Sequence, residues 1–163
     1  QYPHKTTHQE YQSNWIMTSE DEAAVLATTD IWIETVTSNT PNAPNETAAL
    51  YSPDAILWGT VSEQVRHTPQ GILDYFEFFA TLPGLSVAQY DPEAVRIYGD
   101  FAINAGSYTF TWEDENGEKI EKRARYTFAY RRDPTTPKGW AMVEHHSSLM
   151  PVSPPTLKPV TSS

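Results

Sequence analysis

The sequence predicts an α+β domain, on three observations. Apolar residues recur at helical spacing through the first half. After Gly84 the pattern changes to period two. Asp114-Glu115-Asn116-Gly117 then forms a hairpin turn signal between two long alternating runs. Helices followed by an antiparallel meander mean α+β rather than alternating α/β. A long curved sheet with helices across it would enclose a pocket.

Along the chain, residues 1–17 are polar without a clear period and are expected as an arm. Ser19-Glu20-Asp21-Glu22 has the form of a capping box, with acids where the helix dipole favours them. The helix predicted from there carries Val25, Leu26, Thr29, Ile33 and Val36 on one stripe, with Trp32 beside it, and ends before Pro41. A short second helix is predicted over residues 44–51, and a buried strand over residues 55–59. Thr68-Pro69 supplies an N-cap and a proline at the first helical position. In the third helix Ile72, Leu73, Phe76 and Phe79 form the apolar side. Strands are predicted near 85–90, 93–98, 101–112, 120–132 and 139–148. The segment PVSPPTLKPVTSS is proline-rich and reads as an extended tail. The expected division is therefore an arm over 1–17, one domain over 18–151 and a tail over 152–163.

Composition narrows the function. A chain of 163 residues suits one domain with a real core. A formal charge of −10 argues against nucleic acid and anionic membranes as partners. Local arginines could still hold a small anion. There is no Cys, which excludes disulfides, thiolate catalysis and Cys-ligated zinc. No apolar run reaches membrane-spanning length. The first residue is Gln1, so removal of a leader or an upstream domain is an expectation.

The chemistry concentrates in Glu144-His145-His146-Ser147-Ser148. Neighbours on a strand point to opposite faces, so Glu144, His146 and Ser148 share one. Both histidines reach a single metal only if the strand bulges. A Glu-His pair alone falls short of the three protein ligands of a catalytic zinc. Arg125 and Thr127 likewise share a face, and Arg125 is a candidate for attracting an anion. Arg131 and Arg132 read as a solvated strand end. On residues alone, Thr60 is a turn threonine and Tyr75 a core tyrosine with a satisfied hydroxyl.

Several stretches resemble known families. The strand with Arg131-Arg132, the turn, Gly139-Trp140 and the strand ending His146-Ser147-Ser148 resemble the association domain of calcium/calmodulin-dependent kinase II, of the nuclear transport factor 2-like superfamily. LWGT (57–60), GILDYF (71–76) and HHSSLMP (145–151) are similar, more narrowly, to the iota-class carbonic anhydrases. The resemblance covers about residues 20–151 and implies a cone-shaped fold. It implies hydration of carbon dioxide to bicarbonate, with Thr60, Tyr75, His146 and Ser148 as catalytic residues. Trp58, Tyr108, Arg125 and Ser147 are the implied substrate contacts. Tyr108 stands about where the kinase domain carries an arginine, which suits a small, weakly charged ligand. Some members of the class have been linked to zinc or manganese and others to no metal; the residues here favour the metal-free version, with no cofactor.

In that version hydroxyl groups orient a water and stabilise developing charge, and Trp58, Phe76 and Phe79 form a dry wall. Two other classes remain open. One is a non-catalytic ligand-binding or assembly module. The other is a dehydratase or isomerase using the Glu144–His146 pair. A serine nucleophile with a histidine base is disfavoured, because no third orienting acid or elbow motif accompanies it. Cone folds of this type pair through their sheets, and Phe110, Trp112, Phe128 and Tyr130 offer more apolar area than one face needs. A homodimer is expected. The iota class implies a plastid or a bacterial compartment, and the residues themselves fix neither.

Overall fold

The computed structural model describes residues 8–152, with side chains from residue 20 onward. The tail expected over 152–163 lies outside the described residues except for Val152, and so do the first seven residues of the expected arm. Helix α1 (His8–Val36) runs through Ser19 without a break, so the capping box does not start it. No Gly or Pro lies between His8 and Ser19 to stop a helix. Its buried side is Val25, Thr29, Trp32 and Val36, spaced 4, 3 and 4 residues apart. Trp32 is thus on the seam rather than beside it, while Leu26 and Ile33 flank it half-buried.

Helix α2 (Ala43–Ala48) is shorter than the predicted 44–51, because Tyr51 already belongs to strand β1 (Tyr51–Trp58). A two-residue strand β2 (Val65–Arg66) follows. Helix α3 (Pro69–Phe79) starts as the sequence indicates, with Thr68 Oγ1 accepting the Gly71 N–H at 3.1 Å. It buries Ile72, Tyr75, Phe76 and Phe79. The two strands predicted over 85–98 are one, β3 (Ser86–Tyr98), which shifts register after Val87 and after Pro92. Pro92 is tolerated because β3 is an edge strand. Strands β4 (Phe101–Glu113) and β5 (Lys119–Arg132) are joined by the predicted turn. There Asp114 Oδ1 accepts the N–H groups of Asn116 and Glu118, and Gly117 adopts φ +77°. Strand β6 (Trp140–Leu149) is the last in chain order among the described residues.

The sheet order is β2-β1-β6-β5-β4-β3. All pairs are antiparallel except β1 and β6, which run parallel, so the sheet is mixed. The helices cover one face, the inner one. Trp32 stands at its centre, with ring centroids 5.1 Å from His145, 5.3 Å from Phe128 and 6.1 Å from Tyr108. Phe110, Phe128 and Tyr130 all fill this interior, and Trp112 packs against it half-buried. They are not the spare apolar area assumed for pairing.

One irregularity decides the site. Along β6, Met142 pairs with Tyr130 but Glu144 pairs with the adjacent Ala129. Val143 is therefore an extra residue, a β-bulge, and the parity of the strand flips there. Trp140 and Met142 face inward before it; His145 and Ser147 face inward after it.

Candidate active site

Strict alternation from Trp140 would send Glu144, His146 and Ser148 inward. The bulge sends His145 and Ser147 there instead, 3% and 5% exposed. His146 is exposed on the outer face, and Ser148 lies half-buried there, where it accepts from Arg125 Nε at 3.2 Å. Trp58 is on the same outer face, 41% exposed, with its ring 6.2 Å from that of His146. Of the eight residues expected at the site, Thr60, Tyr75, Tyr108 and Ser147 come together inside. His146, Ser148, Trp58 and Arg125 gather on the opposite side of the sheet, so the expected grouping of Thr60 and Tyr75 with His146 and Ser148 is corrected.

The inner group is a row of hydrogen bonds. Tyr51 Oη lies 2.7 Å from His145 Nδ1, and His145 Nε2 lies 3.1 Å from Tyr108 Oη. Tyr108 donates to Ser147 Oγ at 2.7 Å, and Ser147 Oγ bonds Thr60 Oγ1. Thr60 reaches inward because β1 ends at Trp58 and the chain turns at Gly59. That turn lies against Tyr75: a Cβ on Gly59 would sit 2.2 Å from Tyr75 Cε2. A glycine is required there for close approach. Tyr75 brings its hydroxyl toward the backbone of Val61 and Thr60. Thr60 is half-buried, so the row opens at that end.

Burial sets the electrostatics. It lowers the His145 pKa from 6.5 to about 3, helped by the neighbouring His146, so the imidazole is neutral. It raises the tyrosine hydroxyls at positions 51, 75 and 108 above 10. The row is therefore uncharged, a set of donors and acceptors rather than an acid–base pair. The walls are aromatic: Phe128 stacks on His145 at 3.9 Å, and Tyr75 on Phe79 at 5.7 Å. Among the described residues no three His, Asp or Glu side chains converge as metal ligands.

Tyr51 and His145 were missed by the sequence reading. Tyr51 was placed at the end of a helix, and His145 was given to the outer face by alternation. A second buried polar group lies deeper: Asn104 Nδ2 donates to Thr29 Oγ1 at 2.9 Å, and Thr29 Oγ1 bonds Tyr130 Oη at 2.5 Å. Every one of these contacts is closed from solvent and ties α1 to the sheet. A cavity of about 370 Å³ lies elsewhere, between α1, the start of β1 and the β5–β6 turn.

Residues 20–151 match the family model of the calcium/calmodulin dependent protein kinase II association domain. The chain belongs to that family. A Xanthomonas campestris protein proposed as such an association domain is 38% identical. The likeness covers 78% of this chain and 86% of that one, with a TM-score of 0.68. The S. rosetta CaMKII hub is 20% identical, covering 78% and 95% of the two chains at a TM-score of 0.63. An NTF2-like protein with a cystatin-like fold from Novosphingobium aromaticivorans is 15% identical, covering 92% and 94% at 0.68. The last two show the fold alone. No curated protein matches the chain in sequence. The association-domain sheet and helices are thus those of the NTF2-like cone, with the hydroxyl row on its inner face.

Proposed function

We propose that this association domain hydrates carbon dioxide to bicarbonate, without a metal, at the inner hydroxyl row. The observation that supports the reading is the convergence of Thr60, Ser147, Tyr108 and Tyr75 at the half-open end of an aromatic interior. Thr60, Tyr75 and Ser147 fall in the stretches that resemble the iota-class enzymes, with Ser147 taking the place first given to Ser148. Phe79, Tyr75 and Leu57, all buried in the core, supply the apolar side of the site for the gas. A water held by the Thr60 and Tyr75 hydroxyls adds its oxygen to the carbon, and its proton leaves to solvent at the open end. The three oxygens of bicarbonate then carry charge that the same hydroxyls stabilise as donors. Stopped-flow hydration on purified protein, with and without EDTA and beside metal analysis, tests this. Activity that survives chelation with no stoichiometric metal supports it. No activity in either condition sinks it.

A second reading concerns assembly. The outer face exposes Ile56, Trp58 and Phe101 around His146 and Thr127. In a family defined by association, these residues support pairing of two copies through the outer face. Light scattering behind size exclusion tests it, and a monomer at all concentrations overturns it. Because the two readings use opposite faces of one sheet, both functions fit the same chain.

A further inference from the structure

The inner row contains five side-chain protons and four contacts, and the directions can be worked out. Tyr108 donates its single proton to Ser147 Oγ. Its 3.1 Å contact with His145 Nε2 must then be made by an N–H on that nitrogen. A neutral ring carries one such proton, which leaves Nδ1 as an acceptor for the Tyr51 hydroxyl at 2.7 Å. Ser147 is buried, and Thr60 is its only remaining partner, so its proton goes to Thr60. Every bond therefore points the same way, from Tyr51 toward the opening. The Thr60 proton is the one left over, and it is offered at the half-exposed end.

We propose that Tyr51 and His145 are positioning residues that fix the polarity of this row, so that Thr60 meets a small oxyanion as a donor. This rests on the hydration reading for the identity of the anion, bicarbonate. Neither residue touches the opening. Tyr51 acts by holding a proton against Nδ1, which keeps the His145 proton on Nε2. If Tyr51 loses its hydroxyl, the imidazole is free to turn its proton to Nδ1. Tyr108 then donates to Nε2 instead of Ser147, Ser147 turns back toward Tyr108, and Thr60 turns inward to Ser147. The opening then presents a lone pair, which suits water and repels an anion.

The test is ¹⁵N NMR of His145 in the full chain, with bicarbonate dehydration kinetics on the same samples. Wild type should show one neutral tautomer with the proton on Nε2. Tyr51→Phe keeps the ring in the core and should yield a mixture of tautomers. It should also raise KM for bicarbonate about tenfold, the loss of one charge-assisted hydrogen bond, with kcat changed less than about threefold. Tyr108→Phe, the second variant, should leave the tautomer on Nε2, because Tyr51 still holds Nδ1, while raising the same KM. A wild-type proton on Nδ1 overturns the inference whatever the activity. So does Tyr51→Phe with unchanged tautomer and unchanged KM. An inactive wild type with the proton on Nε2 ends the hydration reading but leaves the polarity intact, so the two failures are separable.

Discussion

Strand β6 carries His145 and Ser147 on one face and His146 and Ser148 on the other. The two pairs have the same residue types, one position apart, and opposite surroundings. Inside, His145 stacks on Phe128, is held at both ring nitrogens and stays neutral. Outside, His146 lies beside exposed Trp58, and Ser148 meets the guanidinium of Arg125. The difference teaches that burial and fixed partners, not the residue types themselves, turn a His-x-Ser pair into a hydrogen-bonded device.

Inserting one alanine between Glu144 and His145 attacks that comparison most severely. The added residue reverses the alternation beyond the bulge, turning His145 and Ser147 out and driving His146 and Ser148 into the aromatic interior. Polar groups are then buried without their partners, so the variant should lose more than about 3 kcal/mol. Deleting Val143 instead leaves Met142 and Glu144 as regular neighbours opposite Tyr130 and Ala129 and should keep the native faces. An unchanged insertion variant, seen in urea melts followed by fluorescence, would contradict the parity flip.

Single serine changes come next. Ser147→Ala should lower carbon dioxide hydration about a hundredfold or more, because Thr60 loses the partner that holds it as a donor to developing charge. Ser148→Ala should change it less than about twofold. The reverse ranking in stopped-flow assays would return the site to the outer face.

A pH series sharpens the contrast between the histidines. Burial lowers the His145 pKa from 6.5 to about 3, so the unfolded chain accepts a proton that the folded chain refuses. Its share of stability is whole above the unfolded value and is lost as pH falls toward the folded one. The loss is about 1.4 kcal/mol per pH unit within that window. His146→Gln should keep this slope, and His145→Leu should lose it, in denaturant melts at successive pH values.

The smallest effect belongs to the outer face. Trp58→Ala should change the stability of one chain by less than about 0.5 kcal/mol, as exposed substitutions do. It should weaken pairing, seen as a shift toward monomer in light scattering.

How much of this was legible follows from where each signal resides. The third helix and the β4–β5 hairpin were readable because Thr68-Pro69 and Asp114 to Gly117 make their hydrogen bonds within a few residues. Thr60, Tyr75 and Ser147 were readable through the stretches that contain them, and Tyr108 through the place where the kinase association domain carries an arginine. The inward face of β6 was not, because a bulge is set by pairing with β5 and leaves no local mark at Val143. Tyr51 was missed for a related reason: Pro53 and Asp54 hide the early start of β1, whose register to β6 also shifts between Tyr51 and Ile56. Trp32 was placed beside its stripe because five smaller residues outweighed one large ring in the count.

The parallel pairing of β1 with β6 has a consequence in time. Thr60 and Ser147 stand 87 positions apart in the chain yet bond directly. During synthesis Thr60 leaves the ribosome well before Ser147 exists, and β4 and β5 can pair while β1 still waits for its neighbour. The hydroxyl row therefore closes only after the final strand has docked. Chemistry here doubles as a sign of completed manufacture: a nascent domain can have most of its sheet and still be silent.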